Sequence, residues 1–193
     1  MKNRTLTLLA AALATTIALA GCAVGTTGSG NSTRDSSSTS TEPFNNPDVT
    51  FVMGMVPHHE QAVEMSQMIL DKDGVDPRVT ELAQQIKDAQ GPEIDLMNSW
   101  LDAWGAGGSM GGMNHDMGGM MSDDDMTALG AASGPDASSL FLTQMTAHHQ
   151  GAIMMAEMEL QMGENPGTLE LAQKIIDSQT AEIATMKKIL GSL

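Results

Sequence analysis

Apolar positions recur every three to four residues over four stretches, roughly 48–72, 77–104, 136–162 and 166–190, and no segment shows the sustained alternation of a strand. The pattern predicts an all-α protein. Helix-start signals fall where the period begins: Asp76-Pro77 and Asn165-Pro166 each set a capping residue before a proline at the first helical position, and Pro135-Asp136 offers Asp136 as a third cap. Gly163 and Gly191 stand where helix C-terminal glycines belong. Short links at 73–76 and 163–165 predict two antiparallel helix hairpins.

The hairpins are copies of one another. Met55-Val-Pro-His58-His59-Glu-Gln-Ala62-Val-Glu-Met65 matches Met145-Thr-Ala-His148-His149-Gln-Gly-Ala152-Ile-Met-Met155 at an offset of 90. Gln90, Glu93, Ile94 and Met97 match Gln179, Glu182, Ile183 and Met186 at an offset of 89. One hairpin cannot bury its apolar face alone, so two copies predict a four-helix bundle. Between them, 105–135 is rich in Gly, Met and Asp without a helical period, longer than a compact domain usually tolerates.

The N-terminus is a targeting segment. Lys2 and Arg4 precede an apolar stretch at 6–20, short for a spanning helix, which closes on Leu19-Ala20-Gly21-Cys22. That ending resembles the lipobox of bacterial lipoproteins, whose cysteine is lipidated and becomes the mature N-terminus. The chain then divides into a signal peptide (1–21), a Ser/Thr/Gly tether from the lipidated Cys22 (22–47) and a bundle domain (48–191), made of repeat one (48–104), the linker (105–135) and repeat two (136–191). The expected location is extracytoplasmic, anchored to the cell membrane.

Composition narrows the function. With 9 Lys and Arg against 24 Asp and Glu, the net charge is −15, and signal cleavage takes it to −17. Such a surface excludes phosphate neutralisation, and hence nucleic acid, as the partner. The 3% of aromatics argues against stacked-ligand sites, and the single cysteine excludes an intramolecular disulfide or a thiolate cluster. Methionine is abundant at 18 residues.

On a helical wheel Met55, His58, Ala62, Met65 and Ile69 fall on one face with His59 at its edge, and Met145, His148, Ala152 and Met155 do the same beside His149. Gln90, Glu93 and Met97 share a face on the partner helix, as do Gln179, Glu182 and Met186. A lone histidine or a methionine stripe on such a face is ordinarily core packing. Here two histidine pairs and several thioethers converge, a set that suits soft metals, above all Cu(I). In the linker, Met110, Met113, His115, Met117, Met120 and Met121 space further thioethers around one histidine among flexible glycines. Asp123-Asp124-Asp125 adds either cation attraction or plain solubility. Trp100 and Trp104 read as packing at the bundle end.

These doubled motifs, His-His-x-x-Ala-x-x-Met and Gln-x-x-Glu-Ile-x-x-Met, together with the lipobox, resemble the bacterial family called domain of unknown function 305 over about 48–190. The resemblance implies a ferritin-like four-helix bundle. Since some extracytoplasmic members bind copper and are associated with copper tolerance, it also implies a copper-binding lipoprotein that sequesters or buffers Cu(I) or Cu(II). Carried over residue by residue, it points to His58, His59, Met55 and Met65, and to His148, His149, Met145 and Met155. Pro57 belongs to a common form of the motif and should kink the first helix; Ala147 takes its place in the second copy, so the two sites need not be equivalent. Gly91-Pro92 departs from the pattern and should bend the second helix. Copper-transport or copper-resistance proteins, and further copies of the chain, stand as partners consistent with this reading. It makes the protein a binder and not an enzyme. Its competitors are a structural or interaction bundle with a pliable methionine core, and a ferritin-like oxidase. Sites of the latter kind use Glu-x-x-His, and no glutamate here is followed three residues later by histidine.

Overall fold

The computed structural model describes residues 42–107 and 118–193. Five helices follow in order: α1 (Asn46–Leu70), α2 (Pro77–Ala103), α3 (Asp123–Ala131), α4 (Gly134–Met162) and α5 (Pro166–Leu190), with no strand among the described residues. The caps at Asp76 and Asn165 form as their sequences require, accepting from Arg78 N at 2.9 Å and from Gly167 N and Thr168 N at 2.9 and 3.2 Å. α1 and α2 run unbroken through Pro57 and Pro92.

Three starts differ from the sequence reading. α1 begins at Asn46, inside the stretch read as tether, because Asn45 and Asp48 make a reciprocal capping box. Just before it, Phe44 stacks on Trp104 with ring centroids 4.7 Å apart. α4 begins at Gly134 with Ser133 as its cap residue; Asp136 lies in the first turn, where its Oδ2 accepts from the Ser133 hydroxyl at 3.0 Å. The acidic run 123–125 opens α3, a helix absent from the sequence reading, with Ser122 and Asp125 forming a second capping box. Carboxylates there complement the positive helix end.

Helices α1, α2, α4 and α5 make the bundle, and two apolar clusters fill its ends. The first half of α1 (Phe51, Val52, Met55) meets the far ends of α2 (Met97, Leu101) and α4 (Ala152, Ala156) and the start of α5 (Leu171, Ile175). The second half of α1 (Ala62, Met65, Ile69) meets the start of α2 (Leu82, Ile86), the start of α4 (Phe141, Met145) and the end of α5 (Met186, Ile189). α1 therefore lies antiparallel to α4 as well as to α2. Leu129 of α3 is fully buried in this second cluster. Met155 at the other end is only half-buried, while its repeat equivalent Met65 is fully buried.

Candidate metal centre

At the waist between the two clusters, the antiparallel pairing of α1 and α4 brings the duplicated motifs face to face. His58 and His148 lie with ring centroids 3.7 Å apart, tilted by 38°, and both are fully buried. His59 and His149 flank them, also fully buried. Each flanking ring is held from its own hairpin: His59 Nε2 is 3.0 Å from Glu93 Oε2, and His149 Nε2 is 2.6 Å from Glu182 Oε2. A carboxylate only accepts, so each flanking ring donates from Nε2. Lys174 Nζ lies 3.0 Å from the other Glu93 oxygen. Burial pushes the Glu93 carboxyl up, but His59 and Lys174 outweigh it and hold the group below its usual range.

Six of the eight ring nitrogens of these four histidines have no hydrogen-bond partner: both of His58, both of His148, and Nδ1 of His59 and His149. Buried polar atoms are normally paired, and one left unpaired costs about 1–3 kcal/mol. Burial, reinforced by His59 and His149, lowers the His58 pKa to about 3. Burial, reinforced by His58, His149 and His59, lowers that of His148 to about 2. The central rings are therefore neutral near pH 7, the state in which imidazole binds metal. One turn before them stand the buried thioethers of Met55 and Met145. Imidazole nitrogens and the thioethers of Met55 and Met145 are therefore the donors this waist can offer. That donor chemistry fits a soft ion.

The sequence-predicted residues divide into three groups. His58, His59, His148, His149, Met55, Met65 and Met145 all lie in the interior, and Met155 at its margin. Met120 and Met121 are half-buried on the end of the linker, whereas Met110, Met113, His115 and Met117 lie outside the described residues, as do Cys22 and the apolar stretch 6–20. Among the described residues no helix is long and apolar enough to cross a membrane. Trp100 and Trp104 stack at the bundle end, centroids 6.2 Å apart.

Sequence reasoning missed what closes the seam between α1 and α4. Gln61 and Gly151 are equivalent positions of the two repeats, three residues beyond His58 and His148. The Gln61 amide clamps the Met121 backbone in both directions, Nε2 donating to Met121 O at 2.9 Å and Oε1 accepting from Met121 N at 2.7 Å. Gly151 lets Gly118 and Gly119 lie directly on α4, since a Cβ there would collide with the Gly118 carbonyl. Residues 118–121 thus form a strap from one repeat to the other beside the histidines. It also missed a buried acid pair at the bundle end. Asp48 Oδ1 accepts from Glu164 N, Asn165 N and the Thr168 hydroxyl at 3.1, 3.0 and 2.8 Å. Glu159 lies against it, its carboxyl filling the space a Cβ on Gly163 would need. Gly163 is required for room and not for backbone freedom, since its φ is −73°.

A four-helix bundle of duplicated hairpins with paired, unsatisfied histidines at its waist defines the class. A family model described as Domain of unknown function (DUF305) matches residues 48–190, and the chain belongs to that family. A family fragment from Deinococcus radiodurans superposes with a TM-score of 0.71 at 31% identity, covering 78% of this chain and 99% of its own. A Streptomyces coelicolor member, described by inference as secreted, gives 0.68 at 33% identity, with coverage of 76% and 93%. CopM, solved in Cu(I)-bound and Cu(II)-bound forms, gives 0.64 at 32% identity, covering 75% of this chain and 96% of CopM. A shorter match, 44% identical over 55 residues, is to uncharacterized protein L153 of Acanthamoeba polyphaga mimivirus, of whose length the chain spans 36%.

Proposed function

We propose that this protein is an extracytoplasmic, lipid-anchored copper-binding protein that sequesters or buffers the metal, Cu(I) in preference to Cu(II), without catalysing a reaction. The observation that carries the reading is the set of six unpartnered imidazole nitrogens in a fully buried, thioether-flanked waist. A soft ion would meet neutral rings there and need displace no proton from His58 or His148. His58 and His148 would hold it, with Nδ1 of His59 and His149 and the thioethers of Met55 and Met145 as further donors. Glu93 and Glu182 would orient the flanking rings, as carboxylates do behind metal-binding histidines. Copper-bound CopM, a relative at 32% identity, supports the choice of metal. The linker methionines Met110, Met113 and Met117 with His115 would supply capture ahead of the waist, and the lipobox Cys22 would keep the protein at the membrane surface.

The test is anaerobic titration with Cu(I) against a chromogenic chelator. Three proteins are compared: the full chain, His58→Ala/His148→Ala, and a deletion confined to 108–117, which spares the strap and α3. High-affinity binding should survive the deletion and be lost in the double variant. Full affinity in the double variant would overturn the histidine centre, and no competition by any of the proteins would end the copper reading.

A further inference from the structure

The core face of α4 is settled by Met145, His148, Ala152, Ala156 and Glu159, all buried. Met154 and Met158 lie roughly 200° around the helix from Ala152 and Ala156. With Met162 they run at i, i+4 and i+8 along the outer surface, 53%, 50% and 54% exposed. A solvent face ordinarily carries charged or polar residues at such positions. Three thioethers one turn apart are therefore not packing of this chain's core, and they are oxidation-prone where they stand.

Their surroundings favour a cation. α4 contains no lysine or arginine, and the row ends in the last turn of the helix, which has no basic residue to offset the negative end of its dipole. Side chains at i and i+4 start about 5–6 Å apart, and three rotatable bonds let neighbouring sulfurs turn onto one ion. At its upper end the row meets the strap, where Gly118 sits against the Met154 methyl. Thioethers select monovalent soft ions over hard divalent ones, and the exposed Glu157 three residues after Met154 adds negative charge beside them.

We propose that Met154, Met158 and Met162 form a surface site for a soft monovalent cation, Cu(I) or Ag(I), separate from the histidine waist and beginning where the linker returns to the bundle. The site uses two thioethers at a time, Met154 with Met158 or Met158 with Met162. It exchanges its ion quickly because no buried group closes over it.

The experiment is titration of the full chain with Ag(I), in a Cys22→Ser background so that the lone thiol does not compete, following 13C-labelled methionine methyl groups by NMR. The Met154, Met158 and Met162 methyl signals should move in fast exchange, and the triple variant Met154→Leu/Met158→Leu/Met162→Leu should lose one equivalent of Ag(I) capacity. The His58→Ala/His148→Ala protein should keep these shifts, so failure of the waist and failure of the surface row are told apart. Unmoved signals from the three methyls, or an unchanged capacity in the triple leucine variant, would overturn the proposal.

Discussion

Replacing His58 and His148 together with leucine tests whether the waist is built for a ligand at the expense of the fold. Each neutral imidazole leaves one donor and one acceptor unpaired in an interior with no solvent access. At about 1.5 kcal/mol for each of these four groups, the gross penalty is about 6 kcal/mol. Leucine removes it but loses the ring–ring contact, worth about 1 kcal/mol, and repacking costs up to about 1.5 kcal/mol per site. The net expectation is that the metal-free double variant is more stable than the parent by about 2 kcal/mol. For a domain of this size that is about 4–8 °C in melting temperature. The assay is thermal and urea unfolding in the presence of chelator, repeated with Cu(I). At a free metal concentration 100 times Kd the parent should gain about 2.7 kcal/mol and the variant nothing from this centre. pH supplies an independent readout. Both histidines have folded pKa values far below 6.5, so the unfolded chain takes up their protons first. Their contribution is complete above pH 6.5 and is lost as pH falls toward 3. The leucine variant should therefore have the flatter acid limb. A metal-free variant less stable than the parent by more than about 1 kcal/mol would refute the reasoning, because the rings would then be earning their place through contacts within the fold.

Further expectations follow from single side chains. Glu93→Gln removes the carboxylate behind His59 and should weaken Cu(I) binding by about 10–100-fold in the chelator competition while leaving the helical signal intact. Gly151→Ala puts a methyl into the Gly118 carbonyl, so the strap must lift; a loss of about 1–3 kcal/mol is expected, with faster hydrogen exchange at the Met121 amide. Burial, with Asp48 alongside, raises the Glu159 pKa to about 7 from 4.5. The folded state then holds a proton that the unfolded chain releases, so this contribution is complete below pH 4.5 and is lost as pH rises through 7. Glu159→Gln, which stays neutral, should gain on the parent over that interval by up to about 1.4 kcal/mol per pH unit, read from urea midpoints.

The helical period and its punctuation made most of the fold legible. Asp76-Pro77 and Asn165-Pro166 mark two helix starts within the residues that form them, and the repeat of offset 90 puts His58 opposite His148 once the hairpins pack. What escaped has a physical reason. α3 is nine residues long with only Met126 and Leu129 as spaced apolar anchors, too few to register as a period; its one clear signal is the Ser122–Asp125 capping box. The strap rests on a side-chain amide meeting backbone and on two glycine surfaces in contact, neither of which leaves a periodic trace. Asp48 and Glu159 belong to different repeats, are not equivalent positions, and meet only after folding.

The strap bears on how two such chains avoid each other. Duplicated hairpins joined by a long linker are open to exchange, since the α1–α2 hairpin of one molecule is a ready partner for the α4–α5 hairpin of another. Here the linker does more than connect. Its end is hydrogen-bonded to Gln61 of the first hairpin, seated on Gly151 of the second, and continued by α3, whose Leu129 is buried among residues of both. An exchanged pair would have to give up the Gln61–Met121 hydrogen bonds and the seat of Leu129 against the first hairpin, and remake both against the other molecule. The end of the linker acts as a clasp that adds to the contact between the two hairpins, beside the histidines that face each other across it.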